Sequence, residues 1–255
     1  MIYTPRMEET KTEENRSLSG NALKLIAIAA MTVDHLTWAF FPGTDGTWYV
    51  ILLHIIGRLT APIMWFFISE GCHYTRDRRK YLLRLFIFAV VSHFAYCYAF
   101  GIDYLPLGVF NRTSVMWSLA IAASLIFLLE KNLNPVVRVL VIVIANVLSF
   151  PSDWSSIAVM APVFLYYHRG DFRKQAVDIV FWTFVYALVY FLFLDRVYGI
   201  LQMFTFLSLF ILRRYNGKRG SWKGMKWFFY LYYPAHLIAV GCIRLALHGD
   251  ISIIF

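Results

Sequence analysis

Asp34 and His35 stand side by side inside an apolar run, LKLIAIAAMTVDHLTWAFF, from Leu23 to Phe41. An ionisable side chain in the middle of a membrane helix costs about 2.5–3.5 kcal/mol on insertion scales, so it usually faces a cavity or a partner and serves a function. Arg58, Glu70, His93 and His236 lie in similarly apolar surroundings. Histidine suits proton transfer near neutral pH, and a nearby carboxylate raises its basicity. Adjacent helical residues point about 100° apart. Asp34 and His35 are therefore expected to meet different helices, with Arg58 the natural partner of Asp34. The alternative role for that pair is an ion pair that fixes two spans.

Arg58 is permanently charged and could bind a phosphate or stabilise an oxyanion; helix-to-helix pairing is the other reading. Gly57 permits close helix approach, and Pro62 frees a backbone carbonyl near Arg58. Glu70 ends the same span, one turn before Tyr74, and Glu70, Gly71 and Arg76 lie where a cytosolic cofactor would enter. The basic run from Arg76 to Lys80 could hold anionic phosphates or only set topology. Pro234 bends the helix just before His236, among the aromatics WFFYLYYPAHL. Asp153-Trp154 opens another span, with Asp153 either capping its helix or contacting an acceptor. His54, Asn146 and Gln202 have weaker claims.

The elements that must position these groups are membrane helices. Of 255 residues, 60% are hydrophobic and 18% aromatic, against roughly 45–50% apolar in a soluble domain. The expected fold is an all-α, polytopic membrane protein of about nine spans, with eight to ten compatible with the pattern. The stretches are 22–41, 48–71, 81–100, 113–130, 136–150, 154–168, 174–194, 197–213 and 225–247. Residues 1–20 form a polar N-terminal segment without the apolar core of a signal peptide, and 21–255 form one membrane domain. Arg and Lys cluster after spans two, four, six and eight, which predicts a cytoplasmic N-terminus and an external C-terminus if nine is right. The net charge of +9 follows from those loops rather than from nucleic-acid binding. Cys72, Cys97 and Cys242 lack metal-ligand spacing and are expected to pack as small apolar residues. No nucleotide-binding glycine loop, HExxH, GxSxG or internal repeat is present, so no metal is expected.

Four stretches carry a resemblance: LKLIAIAAMTVDH, IIGRLTAPIMWFFISEGCHYTRDRRKYLLRL, Asp153-Trp154, and FYLYYPAHL. In this order they resemble the TraX family, whose members acetylate the N-terminus of F-type pilin, and more distantly the transmembrane acyltransferases. The resemblance implies a plasma-membrane, acetyl-CoA-dependent acetyltransferase acting on an amine or hydroxyl, with a pilin-like peptide, a sugar or a lipid as acceptor. Under it, His35 is the base, Asp34 orients or balances charge, and Arg58 stands with them. Lys24, Glu70, Tyr74, Thr75, Arg76, Lys80, Arg84, His93, Asp153, Tyr233 and His236 are the expected donor- and acceptor-binding residues. Two other readings stay open: a small-solute or proton-coupled transporter, and a non-catalytic pilus or secretion assembly factor.

Overall fold

The computed structural model describes residues 17–43, 46–105 and 112–253; most of the expected polar segment 1–20 lies outside them. Helices occupy all nine expected stretches. They are α1 (Gly20–Phe40), α2 (Trp48–Gly57), α3 (Thr60–Tyr74), α4 (Arg78–Phe100), α5 (Val115–Leu129), α6 (Pro135–Ser149), α7 (Ile157–Tyr167), α8 (Phe172–Phe193), α9 (Arg196–Met203), α10 (Ser208–Leu212) and α11 (Met225–His248). Local chemistry sets several starts. Ser19, Asp77, Asn134, Asp171 and Asp195 each accept a backbone N–H of the first turn, as capping residues do. Gly101, with φ of 67°, ends α4 in the left-handed conformation that glycine adopts without steric cost.

Two expected spans are not continuous. The stretch 48–71 breaks at Arg58-Leu59, between α2 and α3. Pro62 lies in the first turn of α3, has no N–H to donate, and would crowd the Arg58 carbonyl in an unbroken helix. The stretch 197–213 divides into α9, a 3₁₀ turn at Phe204–Leu207, and α10. There Thr205 Oγ1 donates to the Gln202 carbonyl at 3.0 Å.

Five segments are long and apolar enough to cross a membrane: Gly20–Phe40, Trp48–Tyr74, Arg78–Phe100, Phe172–Phe193 and Met225–His248. The four other apolar stretches are shorter. α5 is buried nearly all round, at the centre of the bundle. α6 buries only Ala145 and Ser149, and leaves Val136, Val139, Val143 and Val147 exposed. The outer face of α8 likewise exposes Val177, Phe181, Phe184 and Leu188. A water-soluble protein rarely shows apolar patches on this scale, and lipid covers them without cost. The protein is therefore an all-α polytopic membrane protein.

Helix ends collect at two poles. At one, Leu18, Gly20 and Asn21 bond the backbone of residues 214–219, and Glu70 meets Arg169. At the other, Arg112 bonds Pro151, Thr113 bonds Asp153, and Ile253 bonds Phe100. Buried Arg244 secures that second pole through the carbonyls of Tyr98, Gly249 and Ile251.

Candidate functional site

A polar core sits inside the bundle between the two poles. Both Asp34 carboxylate oxygens accept from Arg58 Nη2 at 2.6 Å. Arg58 Nη1 donates to the Tyr198 hydroxyl at 2.8 Å and to Gln202 Oε1 at 3.2 Å, and Nε donates to the His54 carbonyl. His54 Nδ1 donates to Asp34 Oδ1 at 2.9 Å. The break between α2 and α3 thus turns Arg58 inward, one helical turn after His54. Gly57 is required by this geometry: a Cβ there would lie 2.4 Å from both Cβ and Oδ1 of Asp34.

His35 points elsewhere, as its place next to Asp34 on a helix demands. Its Nδ1 lies 2.7 Å from His236 Nε2, and the two rings are stacked with centroids 5.0 Å apart. His236 Nδ1 lies 3.1 Å from the Tyr232 carbonyl. A carbonyl only accepts, so His236 Nδ1 carries a proton and, in the neutral ring, Nε2 accepts. His35 Nδ1 must then donate, which leaves His35 Nε2 with a free lone pair. Two bonds in series, the first anchored on the Tyr232 carbonyl, thereby set the tautomer of a potential base. Tyr232 continues the stack beneath His236 at 5.3 Å and bonds Thr32.

Asp153 reaches the same core from the turn between α6 and α7. It does not cap α7, contrary to one expectation: Ser156 is the N-cap, and the Asp153 N–H goes to the Thr113 carbonyl at 2.8 Å. Trp154 and Ser155 adopt φ of 61° and 45°, conformations that cost about 1–3 kcal/mol each and gather at functional sites. Trp154 stacks on Tyr186 at 4.7 Å and meets Trp65 edge-on. Tyr233, buried, packs against His236.

A second feature opens at the pole that holds the start of α1. A cleft of about 680 Å³ adjoins one of about 390 Å³. They share Glu70, Tyr74, Tyr215 and Gly217 as walls. Five cationic side chains line the two (Lys24, Arg169, Arg173, Arg213 and Arg219) against one carboxylate, Glu70. Glu70 is already engaged by Arg169 Nε at 2.6 Å, and Arg169 also donates to the Tyr74 hydroxyl. Lys24 lies over the Phe67 ring at 4.8 Å and has no ion-pair partner among the described residues. An anion with an apolar portion suits these walls.

The structure brings Asp34, His35, Arg58, Asp153, Tyr233 and His236 into the core, and Lys24, Glu70 and Tyr74 into the cleft. It does not bring the others there. Thr75 turns to the Asp77 carbonyl, and Lys80 pairs with Asp77 on the surface. Arg76 is exposed and absent from the cleft walls. Arg84 lies over Tyr81 and Tyr230. His93 is at the opposite pole, between Thr113 and the Tyr104 carbonyl. Sequence reasoning gave His54 and Gln202 too little weight and missed Tyr198, Arg169, Arg173, Arg213 and Arg219. The spacing of four between His54 and Arg58, and between Tyr198 and Gln202, was the available signal, since such pairs share a helix face.

The model of the family described as TraX protein matches residues 19–244. A relative from Dichelobacter nodosus, named a probable fimbrial assembly protein FimC of serogroup H1, is 30% identical over 241 residues, which cover 88% of this chain and 94% of that protein. No solved structure matches. The matched region contains both the polar core and the cleft, and this chain belongs to the TraX family.

Proposed function

We propose that the protein is a plasma-membrane acetyltransferase that carries an acetyl group from cytosolic acetyl-CoA to an acceptor amine or hydroxyl, a pilin N-terminus being the acceptor the family suggests. The observation that carries this reading is the pairing, on one helix, of a polyanion-suited cleft at Lys24 with a base-bearing core at His35. Eleven residues separate them, about 16 Å along a helix axis. An extended pantetheine arm covers such a distance, with the phosphates of coenzyme A among Lys24, Arg173, Arg213 and Arg219. The cleft faces the cytosol in this reading, in keeping with the basic loops at that pole.

His35 Nε2 takes the proton from the attacking nitrogen or oxygen as its bond to the thioester carbon forms. The C–S bond then breaks, and the proton passes to the coenzyme A sulfur. Arg58, held by Asp34, Tyr198 and Gln202, supplies a fixed positive charge toward the developing oxyanion. General-base catalysis of this kind contributes about 10²–10⁴-fold.

Acetyl-CoA binding to purified protein in detergent, followed by transfer of labelled acetyl to peptide amines, tests the proposal. Saturable binding is expected for wild type and for His35→Ala, with turnover at least a hundred-fold lower in the variant. Absence of binding by folded wild-type protein would sink the reading. The name of the fimbrial relative favours a second reading, an assembly factor without chemistry. Normal piliation with both Asp34→Asn and His35→Ala would select it.

A further inference from the structure

The cleft at the pole that holds the start of α1 is divided in two, and its cations follow the division. Glu70 accepts from Arg169 Nε at 2.6 Å, and Arg169 Nη2 donates to the Tyr74 hydroxyl at 2.8 Å. Glu70 and Tyr74 are walls of both spaces, so this bridge stands where the two meet. Its two charges cancel, and the Glu70 carboxylate no longer repels an anion on either side.

Unpaired cations remain on each side of the bridge. Lys24 and Arg219 line the smaller space, of about 390 Å³. Arg173 and Arg213 line the larger, of about 680 Å³. None of the four has a carboxylate within ion-pair distance among the described residues. Arg219 gives one N–H to the Lys223 carbonyl at 3.3 Å, and a guanidinium has further donors to offer. Lys24 Nζ lies 4.8 Å from the centre of the Phe67 ring and 6.0 Å from that of Phe229. Membrane topology accounts for cations at this pole. It does not require two pairs of them to line a cleft on either side of a neutral bridge.

Such walls fit one elongated ligand with two separate anionic centres. The larger space is within the size range of small-molecule sites, and Phe66, Phe172 and Tyr215 are among its walls. Coenzyme A has this form, with a diphosphate between pantetheine and adenosine and a further phosphate on the ribose 3′ oxygen. A pantetheine thioester on a carrier protein has a single phosphodiester and no adenosine. α1 sets the direction. Lys24 and His35 are eleven residues apart on it, and eleven steps of about 100° leave them about 20° from one another around the helix. The pantetheine arm therefore starts from the smaller space.

We propose that Arg173 and Arg213 hold the ribose 3′-phosphate of the donor while Lys24 and Arg219 hold its diphosphate, so that the protein takes free coenzyme A thioesters and discriminates against dephospho-coenzyme A and carrier-bound pantetheine thioesters. This deepens the acetyltransferase reading and rests on it for the identity of the donor. The adenine lies among the rings of the larger space, and the thioester reaches His35 along α1.

Calorimetry with the full chain in detergent, at one fixed salt concentration, compares coenzyme A with dephospho-coenzyme A. Wild type is expected to bind coenzyme A about ten-fold tighter, the scale of one hydrogen bond to a charged group. The double variant Arg173→Gln, Arg213→Gln should bind both ligands equally, at the wild-type affinity for dephospho-coenzyme A. Both substitutions are at exposed side chains, where folding tolerates them. Lys24→Gln should weaken the two ligands alike, because both retain the diphosphate. Equal wild-type affinities, a preference that survives the double variant, or a preference lost with Lys24→Gln would each overturn the inference. Binding of neither ligand by folded wild type would sink the donor reading and this inference with it; equal binding of the two would leave that reading standing and remove only this one.

Discussion

At the scale of single residues, Asp34 links two otherwise separate histidine systems. It holds His54 and Arg58 directly, while its neighbour His35 is tied to His236. Gly57 makes the first of these possible. Gly57→Ala would drive a Cβ into Asp34, displace the carboxylate and leave Arg58 buried without its counter-ion. Loss of one partner of a buried pair costs about 3–5 kcal/mol, so a marked drop in melting temperature is expected in detergent, together with loss of turnover. A Gly57→Ala protein with wild-type stability would contradict the close approach. In the acetyltransferase reading, His236 acts through His35. His236→Leu removes the acceptor of the His35 Nδ1 proton and frees that ring to place its proton on Nε2. The expected result is a kcat at least ten-fold lower with unchanged acetyl-CoA affinity. His236→Gln, whose side-chain oxygen accepts a hydrogen bond, should recover part of the rate; an equal loss in both variants would reduce His236 to packing.

At the scale of elements, helix breaks and a short helix place several of the core's groups. Arg58 comes from the α2–α3 break, Asp153 from the α6–α7 turn, and Tyr198 and Gln202 from the short α9. Continuous helices would present these side chains on faces set by the 3.6-residue period; the breaks reset that rotation. The cleft likewise depends on loop residues. Arg169, Arg213 and Arg219 reach it from the segments after α7 and α10. If it holds the donor, Lys24→Gln and Arg219→Gln should each weaken acetyl-CoA binding about ten-fold with little change in kcat at saturation. Arg76→Gln and Lys80→Gln, outside the walls, should leave binding unchanged. Measured dissociation constants that fall the other way would return the phosphate role to the loop at residues 75–80.

At the scale of the whole molecule, the apolar outer surfaces of α6 and α8 set the fold in lipid, and the two poles set its direction. Asn132→Cys, in the loop between α5 and α6, and Arg196→Cys, at the first residue of α9, should report opposite sides. In intact cells an impermeant thiol reagent is expected to modify the second and not the first. Modification of both or the reverse pattern would reject a cytoplasmic N-terminus. With a cytoplasmic N-terminus, the polar core would lie between a cytosolic cleft and an outward turn, the arrangement that the proposed transfer between compartments requires.

Much of this was legible in the chain alone. Apolar runs, Pro62, the capping residues and the basic loops act locally, so the helical stretches, the membrane class and the pairing of Asp34 with Arg58 could be read from composition, spacing and depth. The family could be read from short stretches near Asp34 and Glu70. Other contacts could not. His35 meets His236 across 201 residues of chain, and Glu70 meets Arg169 across 99. Such pairings depend on how each helix is rotated about its axis and which neighbours it packs against. The break after Gly57 altered one such rotation, and the left-handed turn at Trp154-Ser155 set the direction of Asp153. Local pattern determined where helices form in the membrane; only tertiary packing decided which of their few polar groups meet, because that choice is made by many weak contacts between segments far apart in sequence.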